Sequence, residues 1–369
     1  MEQLLAAMRL HGITRLNPYV YLPFTGLVLA PLTFLSLSGA SHVWFVVNHL
    51  FLFASLIILI HLVPMRLRLE HVAFVLLVAA FSVPFYRTLT AGQLNAALLL
   101  LYCLIWWASE RKRPILTGSL LAVATLFKIS PGILFLYFLW KRDWRVVGWG
   151  VAVLVVLLAA SLLAVGPQVH LDFLPLLKQM SYGQSTWAEF GRTYYVDPGN
   201  QSFNSLFHHL FAENPYTTPL VHLGARFANG LTLAAAALFT TLVLVVTWPR
   251  RTATPVNSPH GSLLHYSLFI FLSLLIPSLM WDHYLVVLFL PIFAIYVQLF
   301  GTQRVVPILL FVIGVALICV SINFEHPTFR SGLGIFLMST KLLATLILFF
   351  LTLNFSLPNR TRFIPAGPA

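Results

Sequence analysis

Apolar residues run through the chain in long stretches separated by short polar ones. The stretches fall near residues 22–38, 43–63, 71–86, 94–109, 115–127, 131–140, 146–165, 227–248, 263–279, 284–300, 305–322 and 334–356. A bilayer-spanning helix needs roughly 20 apolar residues. The runs 43–63, 146–165 and 227–248 reach that length alone, so the pattern predicts an all-α polytopic membrane protein. The run at 22–38 contains Pro23 and Pro31 and reads as either a span or a re-entrant element.

One charge interrupts this pattern. Lys128 is the only charged residue between Pro114 and Trp140. A charge at membrane depth costs at least ~2.5–3.5 kcal/mol, so such a residue faces protein or water and marks a functional site. Pro131 removes a helix hydrogen bond three residues later. A cation at a helix break suits an anionic ligand; the competing reading is a snorkelling lysine or a structural ion pair.

Composition agrees with the pattern. The chain has 369 residues, 59% hydrophobic and 9% charged, where a soluble domain carries roughly 25% charged residues. The first twenty residues lack the long apolar core of a cleavable signal peptide. Cys103 and Cys319 lie inside apolar runs and read as small core residues. The net charge of +12 follows from basic clusters in short loops, not from a basic patch on a soluble module, so it predicts no nucleic-acid partner.

Those clusters are Arg66 with Arg68, Arg111-Lys112-Arg113, Lys141-Arg142 with Arg145, Arg250-Arg251, Arg304, and Arg360 with Arg362. Placing them all in the cytoplasm satisfies the positive-inside rule. Both flanks of 114–140 are then cytoplasmic, and each arm, at ~15–20 Å, is too short to cross alone. The segment is therefore expected to be a broken hairpin with its apex at Lys128-Ile129-Ser130-Pro131. Segments 87–93, 167–225, 280–283 and 323–332, and the start of 43–63, are expected outside. Residues 1–356 are expected to form one transmembrane domain with an extracytoplasmic loop at 167–225 and a cytoplasmic linker at 249–262, followed by a flexible tail at 357–369.

Polar candidates recur on the expected outer side. Arg87 precedes Gly92-Gln93-Leu94-Asn95, where a helix start offers free N–H groups to an anion or a sugar hydroxyl. Asn200, Gln201 and Asn204 place three amides in five residues, suited to paired donor and acceptor contacts with sugar hydroxyls. A turn and helix cap explains both groups equally well. His208 and His209 are adjacent and make a poor metal pair. Trp281-Asp282-His283-Tyr284 joins an Asp–His pair, able to act as a base or hold a phosphate, to aromatic residues that equally suit interfacial anchoring. Asp172, Glu189, Asp197, Glu213, Asp282 and Glu325 are the acids expected outside. The sequence has no phosphate-binding Gly-Lys-Ser/Thr loop, HExxH, CxxC or nucleophile elbow. No ligand cluster compels a divalent metal, and no other cofactor is firmly implied.

In this order, Gly92-Gln93-Leu94-Asn95, Arg111-Lys112-Arg113, Phe127 to Pro131, Lys141 to Arg145, Asn200 to Asn204 and Ser278 to Tyr284 resemble a family. It is that of the bacterial polyprenol-phosphate-mannose-dependent mannosyltransferases (DUF2029, glycosyltransferase family 87). Pro18-Tyr19 to Pro31 resembles its Tyr-Pro-Pro segment, and the resemblance covers about residues 17 to 300. It implies a GT-C-like bundle of about 9–11 transmembrane or re-entrant helices in the plasma (inner) membrane. The donor would be a polyprenyl-phosphate-linked hexose, mannose by the resemblance, and the acceptor an envelope glycan or glycolipid. Transfer would invert the anomeric carbon at the extracytoplasmic face.

Under that resemblance Lys128, Arg87, Arg192 and His283 would bind the donor phosphate, and Gln93, Asn95, Asn200, Gln201 and Asn204 the sugar or acceptor. The family pattern opens with a transmembrane helix and a long outer loop carrying an acidic base. Here the first sixty-nine residues hold one acid, Glu2, so that helix and most of that loop are expected to be missing. Asp282 is then the best internal base, with Asp197 and Glu189 behind it. The alternatives are a transporter or flippase for lipid-linked or anionic solutes, since a broken helix with a buried cation also suits transport, and a truncated inactive paralogue.

Overall fold

The computed structural model describes residues 20–62, 69–186, 188, 193–248, 259–300 and 303–357. The Arg66–Arg68, Arg250-Arg251 and Arg360–Arg362 clusters, Trp187, Glu189, Arg192, most of the linker and nearly all of the tail lie outside them. Apart from a single antiparallel bridge between Asn200 and Trp281, the regular elements among the described residues are helical. They are α1 (Pro23–Leu29, continued by a 3-10 turn over Ala30–Phe34), α2 (Leu37–Leu62), α3 (Leu69–Ala80), α4 (Val83–Thr90), α5 (Asn95–Glu110), α6 (Pro114–Phe127), α7 (Ile133–Trp140) and α8 (Trp144–Val165). Then follow α9 (Pro167–Gln179), α10 (Phe203–Phe211), α11 (Ala225–Val246), α12 (Pro259–Leu275), α13 (Phe289–Leu299, entered through a 3-10 helix over Asp282–Leu288), α14 (Val305–Cys319), α15 (Gly334–Met338) and α16 (Thr340–Phe355).

Among the described residues four helical segments are long and apolar enough to cross a membrane, a bent pair makes a fifth, and seven shorter apolar helices accompany them. The protein is thus an all-α polytopic membrane protein. Burial sorts the long segments: 78% of the window in Asp282–Leu299 is buried, against 17% in Trp144–Val165, 22% in Ala225–Val246 and 28% in Leu37–His61. The first is the centre of the bundle. The other three present most of their surface outward, as lipid-facing helices do.

Two expected single runs are broken. The run at 71–86 bends by 48° between α3 and α4. Ser82 caps α4 by accepting from the Phe85 N–H at 3.1 Å, and Pro84 lies in its first turn. Both are helix-start signals, so they end one helix and aim another. The run at 334–356 breaks at Ser339, between α15 and α16.

The 114–140 segment doubles back on itself. Lys112 and Arg113 share a cleft with Asp143 and Arg145, so both flanks lie at one end of the bundle. At the same end Ser262 donates to Glu110 at 3.1 Å, and the Trp140 and Trp248 rings meet at 4.9 Å. α6 stops at Lys128, whose backbone is extended (φ −155°, ψ 140°). Thr25 Oγ1 donates to the freed carbonyls of Leu126 and Phe127 at 3.2 and 3.3 Å. α6 packs tightly on α8: a Cβ on Gly118 would lie 2.5 Å from the Gly150 nitrogen and 2.7 Å from the Val146 oxygen. Small residues permit such close helix approach inside membranes.

Candidate functional site

Three separate segments meet at the end of the bundle away from the basic loops. α4 brings Arg87, the α6 break brings Lys128, and the 3-10 helix before α13 brings Asp282, His283 and Tyr284. Their placement follows from local geometry. The bend at Ser82 turns α4 across the 3-10 helix, and Thr88 Oγ1 donates to the His283 carbonyl at 3.2 Å. Arg87 is thereby held beside Asp282, its Nε 3.6 Å from one carboxylate oxygen. His283 Nδ1 lies 3.5 Å from the other. Asp282 and His283 are mostly buried, at 13% and 14% side-chain exposure, while Arg87 is half exposed at 47%.

Lys128 Nζ sits 2.8 Å from the centroid of the Tyr284 ring. A desolvated cation over an aromatic face gains about 2 kcal/mol. That offsets only part of the cost of a charge at this depth. Among the described residues no carboxylate forms an ion pair with Lys128, whereas Arg87 has Asp282. His283 stands in the field of both cations. Its ring stacks nearly parallel to Trp281, 6.5 Å between centroids, and meets Tyr284 edge-on at 4.9 Å. The arrangement offers one unneutralised cation, one half-exposed guanidinium and an Asp–His pair. It can neutralise an oxyanion and accept a proton beside it.

The other expected contacts divide. Gln93 is half-buried; its Oε1 accepts from the Tyr21 hydroxyl, its amide nitrogen donates to the Ala91 carbonyl at 3.4 Å, and Trp44 Nε1 donates to the Gly92 carbonyl at 3.1 Å. Asn95 is fully buried at the start of α5 and reaches Thr88 at 3.5 Å, so it braces α4. Arg192 lies outside the described residues. Asp197 accepts from the Gly199 N–H at 2.8 Å in a tight turn, against which Trp281 packs.

Asn200, Gln201 and Asn204 are also brought together, but for a different task. All three are buried. Asn200 donates to the Tyr194, Tyr195 and Ser278 carbonyls at 3.1–3.2 Å and accepts from the Met280 and Ser202 N–H groups. Gln201 donates to Pro198 and Met338 carbonyls and accepts from the Lys341 N–H. Asn204 donates to Ser278 and accepts from Gly183. Their hydrogen bonds go to backbone, which is the turn-and-cap alternative rather than a row of free sugar contacts. The amides staple the 194–204 segment to the segment that carries Asp282.

Lys341 was missed by sequence reasoning, although it repeats the signal of Lys128: a charge inside an apolar run. It is fully buried, and its Nζ donates to the carbonyls of Leu317 at 2.9 Å, Ile318 at 2.8 Å and Val320. It caps the C-terminus of α14, where a cation is favourable. Among the described residues no three His, Cys, Asp or Glu side chains gather to hold a metal ion.

His209, in α10, shows how the loop that follows this helix is braced. Its Nδ1 meets Thr217 Oγ1 at 3.0 Å, and burial pushes its pKa from the ordinary 6.5 down to about 4. Burial lowers the neighbouring His208 as well. The folded state therefore holds His209 neutral, while an unfolded chain protonates it below pH 6.5. Stability is fully present above that pH and is lost as pH falls toward 4, by up to ~3 kcal/mol. Thermal unfolding in detergent across this window should show the loss, and His209→Gln should flatten it. An unchanged pH slope in that variant would assign the effect elsewhere.

The family model described as glycosyltransferase family 87 matches residues 19–278. A polyprenol-phosphate-mannose-dependent alpha-(1-2)-phosphatidylinositol pentamannoside mannosyltransferase of Mycobacterium tuberculosis (strain CDC 1551 / Oshkosh) is 28% identical over 269 residues, covering 72% of this chain and 56% of that protein. The protein of the same description from Mycolicibacterium smegmatis (strain ATCC 700084 / mc(2)155) is 27% identical over 165 residues, covering 43% of this chain and 38% of that one. The chain thus spans about half the length, or less, of these curated relatives. No solved structure matches.

Proposed function

The chain belongs to glycosyltransferase family 87, and from that premise we propose that it transfers a hexose from a polyprenyl-phosphate-linked donor to an envelope glycan or glycolipid. Mannose is the sugar in the names of both relatives. The reading places the reaction at the extracytoplasmic face of the plasma membrane, in a single GT-C-like membrane domain running to residue 356. The observation that carries it is Lys128, a cation at a helix break with no carboxylate ion-paired to it among the described residues. A lipid monophosphate brings the missing negative charge to that depth.

In this mechanism an acceptor hydroxyl oxygen attacks the anomeric carbon as the bond from that carbon to the phosphate oxygen breaks. The configuration inverts. Lys128 and Arg87 take up the charge that grows on the departing phosphate. The hydroxyl proton passes to the Asp282–His283 pair, with Asp282 supplying the negative charge that makes the pair basic. Asp282 also anchors Arg87, so one carboxylate serves both halves of the reaction. Asn200, Gln201 and Asn204 set the position of the 278–284 segment, and Gln93 lies where the donor sugar would approach.

The test uses membranes from cells expressing the full open reading frame that contains this chain. They are supplied with polyprenyl-phosphate-mannose carrying labelled mannose and with extracted envelope glycolipids. Label in the glycolipid fraction, absent from control membranes, is the expected result. Label that stays on the polyprenyl carrier would overturn the transfer reading.

A further inference from the structure

A second site lies at the opposite end of α6 from Lys128, about 20 Å away along the helix. Lys112, Arg113 and Arg145 line a cleft of 200 Å³ together with Ser109 and Thr117. Asp143 is the only acid in its lining. Its carboxylate is engaged, accepting from the Val146 N–H at 3.2 Å as the cap of α8. The cleft is therefore net cationic. Its walls come from two loops that the chain holds in unusual shape: Lys112 and Arg142 adopt positive φ, 52° and 59°.

This cleft does not end in solvent alone. Arg113 and Pro114 also line an adjoining groove of 430 Å³ whose other walls are Ile115, Leu116 and Ser119. Ile115 and Leu116 are exposed, at 55% and 37%. A cationic cup thus opens onto an apolar groove that runs along the first turns of α6. The shape matches an amphiphile with an anionic head and an acyl chain, and not a soluble anion, which would use the cup alone.

We propose that this pair of cavities binds an anionic phospholipid of the leaflet on the basic-loop side, its phosphate between Lys112, Arg113 and Arg145 and one chain along Ile115 and Leu116. Each basic side chain near a membrane surface contributes about 1 kcal/mol toward an anionic headgroup. The site is separate from the Lys128 site and does not rest on the transfer reaction. A bound lipid would bridge α6 to the α7–α8 loop, the two flanks of the broken hairpin.

The protein is reconstituted in nanodiscs of phosphatidylcholine containing phosphatidylglycerol, released, and analysed by native mass spectrometry for retained lipid. Phosphatidylglycerol is expected to be retained preferentially. Lys112→Gln/Arg145→Gln should lower that retention roughly tenfold or more. Arg111→Gln/Arg142→Gln makes the same charge change outside the cleft lining and should leave retention intact. Ser119→Trp, which fills the groove, should also lower it. Inorganic phosphate should fail to compete. Equal losses in both double variants would reduce the effect to diffuse surface charge and overturn the site. Competition by inorganic phosphate, or full retention in Ser119→Trp, would overturn the lipid assignment. Helical circular dichroism and a monodisperse elution profile identify any variant that has not folded; Arg145→Gln alone then replaces the double variant.

Discussion

Lys128→Met is expected to lower sugar transfer by roughly 10²–10³-fold, the scale seen when a group that stabilises developing negative charge is removed. The same substitution is expected to leave stability unchanged or raised. Methionine keeps the unbranched shape of the side chain, forfeits a cation–π contact of about 2 kcal/mol, and relieves a charge whose cost at membrane depth is at least ~2.5–3.5 kcal/mol. A structural lysine behaves in the opposite way, because its loss leaves partners unsatisfied. Transfer assays and thermal unfolding of the same preparation separate the two. Full activity in the variant would remove Lys128 from the mechanism. Lost activity together with a large drop in melting temperature would make it structural.

Asp282→Asn is expected to cost roughly 10²–10⁴-fold, the usual contribution of a positioned acid or base. The substitution keeps shape while deleting the charge that faces both Arg87 at 3.6 Å and His283 at 3.5 Å. Two roles are therefore lost together, and a double-mutant cycle resolves them. If Asp282 only anchors Arg87, then Arg87→Met costs as much as Asp282→Asn and the double variant costs no more. If the Asp282–His283 pair also accepts the proton, Asp282→Asn is the more damaging of the two, and the acidic limb of its pH–rate profile changes. Near-normal kcat in Asp282→Asn would exclude it as a base.

The helices were legible because a membrane protein writes its elements as unbroken apolar runs, and the return of the 114–140 segment was legible because basic residues flank it at both ends. Lys128 and the Asp282-His283-Tyr284 triplet stood out for the same reason: charge is expensive there, so it is rare. What the sequence could not show was where backbone ends needed partners. The 71–86 run is apolar throughout its first half, and only the cap at Ser82 with Pro84 distinguishes a bend from a straight span. Asn200, Gln201 and Asn204 display the same side-chain chemistry whether they meet a sugar or a carbonyl. Their burial against Ser278, Met280 and Met338 is a tertiary fact. Lys341 carries the same signal as Lys128, yet its three carbonyl partners lie at the C-terminal end of α14 and just beyond it, which no local pattern connects to it.

The break at Lys128 has a consequence for how the protein is made. Chains emerge from the ribosome N-terminus first, so Arg87 and Lys128 enter the membrane while Asp282 and Tyr284 are still untranslated, more than 150 residues behind Lys128. Lys128 must wait without the aromatic ring that shelters it until that later segment is inserted. A segment broken at Lys128 and folded back on itself suits that wait, because its apex can shift without moving a continuous long helix. Nascent chains truncated before residue 282 should therefore be the ones that membrane quality-control proteases and insertases hold longest.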